Sequence, residues 1–187
     1  MPNWCNNTIT IQGPTETLKP LWDEANQEDS GLLQAMVPMP KELNDTTSPS
    51  DGDNWYNWRL TNWGCKWDVD MDGLEFTDNS DGTSAITGWF SSPWSPPVTA
   101  YETFSADMDN CHIEAYYEEG GMDFAGRWDT ESGDDFLEDI SDYARQVCKT
   151  NESGSDLYDQ LDEFLELTES RREYIEEEIA EENSQSA

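Results

Sequence analysis

All nine tryptophans of this chain fall between Trp4 and Trp128, and they decide whether it can fold at all. Leu, Ile, Val and Phe together number only 29 of 187 residues, and the formal charge is −33. That combination normally marks disorder. Disordered chains are poor in aromatics, however, and here seven Tyr and six Phe join the nine Trp. A core of large rings under a strongly anionic surface reconciles the two. The length suits one ordinary domain, or one compact domain plus an appendage.

The surface charge excludes whole classes of function. With 42 acids against nine bases, phosphates would be repelled before any contact formed, so direct nucleic-acid binding is not expected. Anionic membrane surfaces are disfavoured for the same reason. No apolar run approaches a membrane span, and Met1 to Gly13 has neither the basic nor the apolar region of a signal peptide. Cys5, Cys65, Cys111 and Cys148 are widely separated and form no CxxC pair. Reduced thiols in a cytoplasmic protein are the expectation.

The acids are unevenly placed. Residues 1–127 hold 22 acids and five bases, while residues 128–187 hold 20 acids and four bases in half the length. This shift predicts a domain over 1–128 and an acidic helical appendage over 129–187. In the first part, Cys5–Gln12 alternates like a strand, and Thr15 to Gln27 carries Leu18, Leu21, Trp22 and Ala25 at helical spacing behind a capping Thr. Asn44–Asn54 reads as a long exposed loop. Trp63–Thr77 and Ser84–Ser91 read as strands around the turn Asp78–Gly82. A helix through Val98, Tyr101 and Phe104 follows Pro96-Pro97, then the strands His112–Tyr117 and Met122–Trp128. The order predicts an α+β fold: a ferredoxin-like split βαβ sheet with an extra hairpin strand and an acidic helical tail.

In the tail, an apolar stripe from Phe136 to Cys148 predicts a helix over about 134–149. A second helix over about 156–182 places Tyr158, Leu161, Leu165, Ile175 and Ile179 at spacings of three and four, interrupted by Thr168 and Arg172. This seam can dock on the protein's own sheet or join two copies in a homodimer.

Five blocks carry a family likeness: MPNWCNNTITIQG at the start, PMPKEL at 38–43, NWGCKWDV at 62–69, WSPP at 94–97 and YYEEGGMDFAGRW at 116–128. Together they resemble the YubB-like ferredoxin-like family of phage and plasmid proteins of unassigned activity. The resemblance implies the fold and a mobile-element origin, and it brings no catalytic residues. Cys65 departs from the small residue expected there, and the tail lies outside the pattern. The tryptophans of these blocks, Trp4, Trp63, Trp67, Trp94 and Trp128, read as core.

Chemistry is sparse. His112 is the single histidine, and its neighbour Cys111 should face the opposite side of a strand, so the two make a poor dyad. No nucleophile, phosphate-loop or metalloprotease motif occurs, and no motif calls for a cofactor. The reading is therefore non-enzymatic. Asp68, Asp70 and Asp72 match the opening of a Ca²⁺ loop, but Asn79 stands where its bidentate Glu should be, and an exposed strand face with alternating Asp explains them fully.

Two helical rows of carboxylates remain: Asp134, Asp135, Glu138, Asp139 and Asp142, then Glu166, Glu169, Glu173, Glu176 and Glu177. They suggest a polyanion mimic that occupies a basic, nucleic-acid-binding surface of a host or defence protein. Adaptation to salt, with acidity serving solubility alone, is the competing explanation. A small nucleotide-binding domain or enzyme is the third.

Overall fold

Alternation builds the centre of the sheet. In β1 (Trp4–Pro14), Cys5, Asn7, Ile9 and Ile11 are buried while Trp4, Asn6 and Thr8 are exposed. The computed structural model describes residues 3–47, 52–108 and 110–185. Beside β1 run β2 (Leu74–Asp78), β3 (Thr83–Pro93), β4 (His112–Glu119), β5 (Phe124–Asp129) and β6 (Gly133–Glu138). The sheet order is β2-β3-β1-β4-β5-β6, and every neighbouring pair is antiparallel. β1 lies between β3 and β4, which is the split βαβ arrangement expected from the element order.

One face of the sheet holds the larger core. Helices α1 (Thr15–Ala25), α2 (Leu32–Met36), α3 (Trp55–Asn62) and α4 (Val98–Asp107) supply it. Leu18 and Leu21, Leu32 and Leu33, and Tyr101 and Phe104 pack against Ile9, Ile11, Ile86, Phe90 and Ile113. Trp63 is fully buried and donates its Nε1–H to the Val37 carbonyl at 2.8 Å, so its one polar atom is satisfied. Trp128 joins this core, but Trp4, Trp67 and Trp94 are 50%, 37% and 47% exposed. Three of the five tryptophans read as core are therefore surface residues.

The segment from Trp63 to Gly73, read from sequence as strand, is a clasp. Asp68 explains it. Its Oδ1 accepts from the Leu33 and Val69 N–H groups at 2.8 and 2.9 Å, and Oδ2 accepts from Gln34 at 3.1 Å. A carboxylate from a distant loop thus caps the first turn of α2, which has no capping side chain of its own. One other local expectation also changes. Thr15 does not cap α1 but hydrogen-bonds Ser84 at 2.7 Å. The stretch read as a loop gives way at its end to α3, capped by the Asn54 side chain accepting from Asn57 N–H. Residues 48–51 of that expected loop lie outside the described residues.

The opposite face carries α5 (Ile140–Thr150), α6 (Asp156–Leu165) and α7 (Leu167–Gln185). The helix expected over 134–149 begins only at Ile140, because residues 133–138 pair with β5 instead. Asp129 accepts from the Glu131 and Ser132 N–H groups and Gly133 takes φ +81°, so a tight hairpin forms and the free edge of β5 is paired. The single helix expected over 156–182 is two. Glu166 adopts φ +52°, and Tyr158 OH meets Thr168 Oγ1 at 2.6 Å while Asp162 accepts from Thr168 N–H at 2.7 Å. Thr168, which interrupts the apolar seam, is the residue that pins the break.

That seam is filled from within the chain. Tyr158, Leu161 and Ile175 are buried against Tyr116 and Ala125 of the sheet, and Leu165 and Ile179 pack at the margin. On the other face of the sheet Gly126 makes room for Tyr117: a Cβ there would stand 2.2 Å from the Tyr117 hydroxyl and 2.7 Å from the Asp135 carbonyl. Among the described residues no helix is long and apolar enough to cross a membrane.

Candidate functional site

The ten carboxylates singled out from sequence fall into three groups. Glu169, Glu173, Glu176 and Glu177 lie at helical spacing on the outward side of α7, where they line one shallow depression with Arg172 and Ala180. These four are brought together as the periodicity requires. Arg172 sits among them, 2.8 Å from Glu169 and 3.7 Å from Glu176.

The group at 134–142 is dispersed, because a strand alternates where a helix would have aligned. Asp134 pairs across from Trp128 and accepts a 2.6 Å hydrogen bond from Tyr117 OH, on the face of the larger core. Asp135 stands opposite Arg127 on the other face and pairs with it at 3.1 Å. Glu138 follows Asp134 in register, at the far end of β6. Asp139 takes a left-handed φ of +57° where α5 begins, and Asp142 lines the cleft between α5 and α7 beside Arg145 and Tyr174. Glu166 stands alone at the α6–α7 break.

Electrostatics separates these groups further. Desolvation raises the Asp134 carboxyl above its ordinary range, partly offset by the Tyr117 hydroxyl. The same Tyr117 phenol is pushed far up by burial and by that carboxylate. Every basic side chain between residues 128 and 187 is ion-paired: Arg145 with Glu178 and Glu182, Lys149 with Glu182, Arg171 with Glu118, and Arg172 with Glu169 and Glu176. The first three act as clamps between elements. These clamps were not foreseen, although a base isolated among many acids is itself a sequence signal for a structural ion pair.

Asp68, the first residue of the candidate cation loop, has both oxygens engaged by backbone N–H groups. Burial pushes its carboxyl up, and those N–H groups and Arg59 pull it back. Asp70 and Asp72 are exposed, and among the described residues no group of three potential ligands could hold a metal ion. The Asp68 side chain is a helix cap, and the Ca²⁺-loop reading gives way to it.

His112 lies at the open end of the sheet with its Nε2 3.3 Å from Asp129. Burial alone would raise Asp129, but the Glu131 and Ser132 N–H groups and His112 hold it below the usual carboxylate range. Cys111 is buried against Gly13, and burial pushes its thiol up. Cys5, Cys65 and Cys148 are free thiols as well, Cys148 the least buried.

Comparison with known proteins gives a family and little more. A family model described as "Ferredoxin-like domain in Api92-like protein" matches residues 66–164, which runs through β6 and into α6. Among solved structures, the chain is similar to protein api92 from Yersinia pseudotuberculosis at 16% identity, with a TM-score of 0.41. That alignment covers 58% of this chain and 40% of the other, so this chain spans well under two thirds of it. No curated protein matches.

Proposed function

The chain belongs to the family of ferredoxin-like domains in Api92-like proteins, and from that premise we propose a non-enzymatic acidic binding protein of a mobile genetic element. In this reading it acts in the host cytoplasm and imitates a polyanion. Its target is the basic, nucleic-acid-binding surface of a host or defence protein. The observation that carries the reading is the outward side of α7. From Glu169 to Glu177 four carboxylates cover about 12 Å of helix axis, a spacing of about 4 Å against one phosphate per about 3.4 Å along a DNA strand. Arg172 pairs with Glu169 and Glu176 inside the row and leaves it a net negative charge, while Arg145, Lys149 and Arg171 are committed to ion pairs with other carboxylates.

A second reading draws on the other side of the molecule. Glu16, Asp23, Glu24, Glu28 and Asp29 are exposed on and after α1, far from α7 in sequence and on the opposite face of the sheet. Acidity spread in this way suits a salt-adapted protein whose charge serves solubility.

Affinity capture from a bacterial lysate at graded salt, followed by competition with duplex DNA, separates the two. Mimicry predicts a stoichiometric partner that DNA displaces. Loss of every stoichiometric partner at moderate salt would favour salt adaptation instead.

A further inference from the structure

Two strands end this sheet, and they end it differently. At one margin β2 is short, and its Leu74 N–H already donates to the Met71 carbonyl at 3.0 Å. The Phe76 ring of β2 is half-buried beside Trp22 and Lys19. At the other margin β6 pairs with β5 alone. Antiparallel pairing uses the main-chain groups of alternate residues, so about half of this six-residue strand points its N–H and C=O groups away from β5. Among the described residues no other backbone group bonds to them. An unpaired row of this kind is a template for a further strand.

The side chains along that edge say what could pair there. Strand alternation puts Asp134, Phe136 and Glu138 on one face, and all three are exposed. Asp135 and Leu137 are half-buried on the face that α5, α6 and α7 cover. The Phe136 ring leans on Phe124, with centroids 5.3 Å apart, yet remains 48% exposed. The open face therefore reads acid, ring, acid, at steps of about 7 Å. A strand laid alongside would set its own side chains beside these at the same period. A second copy of the chain would bring Asp134 and Glu138 against like carboxylates, and nucleic acid would bring phosphates. A helix has its own main-chain groups bonded internally and would leave the β6 groups unmet. Cationic residues flanking an apolar one match the edge at every step. The acids that guard this edge against self-pairing thus favour a basic strand.

We propose that the outer edge of β6 receives an extended basic segment of a partner protein as a seventh strand, with cationic side chains beside Asp134 and Glu138 and an apolar one over Phe136. The inference rests on the binding reading above and gives it a division of labour. The α7 row steers the partner by its summed field, while the β6 edge holds it by main-chain hydrogen bonds.

The probe is a seven-residue peptide with lysine at its second and sixth positions, valine at its fourth and threonine elsewhere. That pattern matches the edge in either strand direction. Hydrogen exchange followed by NMR should show the outward N–H groups of β6 protected about tenfold or more when the peptide is bound. N-methylation of alternate peptide residues gives two sets, only one of which faces β6. That set should weaken binding about tenfold or more, and the other by less than about twofold. Asp134→Asn with Glu138→Gln should weaken binding about tenfold at low salt. Asn can still accept from the Tyr117 hydroxyl, so the fold should be intact by circular dichroism. Glu169→Gln, Glu173→Gln, Glu176→Gln and Glu177→Gln together should flatten the salt dependence of the on-rate and leave β6 protection at saturation unchanged. An unchanged salt slope in that variant would overturn the α7 reading and not the edge. Absence of β6 protection, equal losses from the two methylated sets, or equal binding of a peptide with glutamine in place of lysine would each overturn the proposal. So would β6 protection that rises with protein concentration without peptide, which marks a second copy as the occupant.

Discussion

The two faces of the sheet are held by different forces. On the first, one cluster of 22 buried residues joins α1, α2 and α4 to the sheet, and its largest members are Trp63 and Trp128. On the second, eight buried residues join α5, α6 and α7 to Tyr116 and Ala125, and ion pairs from Arg145, Lys149 and Arg171 stitch the margins. Apolar burial is insensitive to salt, whereas half-exposed ion pairs are screened and individually weak. The contrast is between a layer that supplies the stability and a layer that presents charge and is held lightly.

The largest blow to this comparison would come from the first face. Trp63→Ala removes a fully buried ring and its hydrogen bond to Val37, so denaturant unfolding should show a loss of about 4 kcal/mol. A loss below about 1 kcal/mol would show that the tryptophan core is not what carries stability. Asp68→Ala leaves the α2 N–H groups without their cap and should cost about 2 kcal/mol. Added Ca²⁺ should change the stability of neither wild type nor this variant through Asp68.

Smaller effects sharpen the second half of the comparison. Arg145→Gln removes the clamp to Glu178 and Glu182. Global stability should fall by about 1 kcal/mol or less, while amide exchange over α7 should quicken and exchange in β1 should not. Acidification acts with a defined sign. Asp68 and Asp134 have folded values above their unfolded ones, so the folded state binds more protons and their ionisation penalty is relieved as pH falls through the folded values. Asp129 is lowered and works the other way, losing its contribution as pH falls further. Stability should therefore rise from pH 7 toward about 5 and turn over below about 4, which a series of thermal melts would check. The mildest test is thiol labelling at pH 8. Burial pushes Cys65 up to about 12 and Cys5 higher still, so Cys148 should react first.

Much of this contrast was legible in the residues. Alternation in Cys5–Gln12 and His112–Tyr117, and the order of elements, were enough for the split βαβ sheet, because two-residue periodicity is a local property. The misreadings share a cause in long-range partners. Gly133–Glu138 looks like a helix start, since Asp134 and Asp135 suit one, yet the unpaired edge of β5 captures it as a strand. Trp63–Gly73 looks like a strand, yet Asp68 is recruited to cap a helix 35 residues earlier in the chain. The α7 carboxylates were placed correctly because a helix repeats them. The open edge beside Phe136 was not singled out, since it exists only once residues 133–138 pair with β5 as a strand.

The central claim is that the α7 row works through its summed field on a basic partner. The direct measurement is the association rate of a captured partner across a salt series. Wild type is compared with the variant carrying Gln at 169, 173, 176 and 177. The account predicts a slower on-rate and a flatter salt dependence in the variant, with its folding unchanged because Leu161 and Ile175 are left in place. Equal on-rates with equal salt slopes would contradict it.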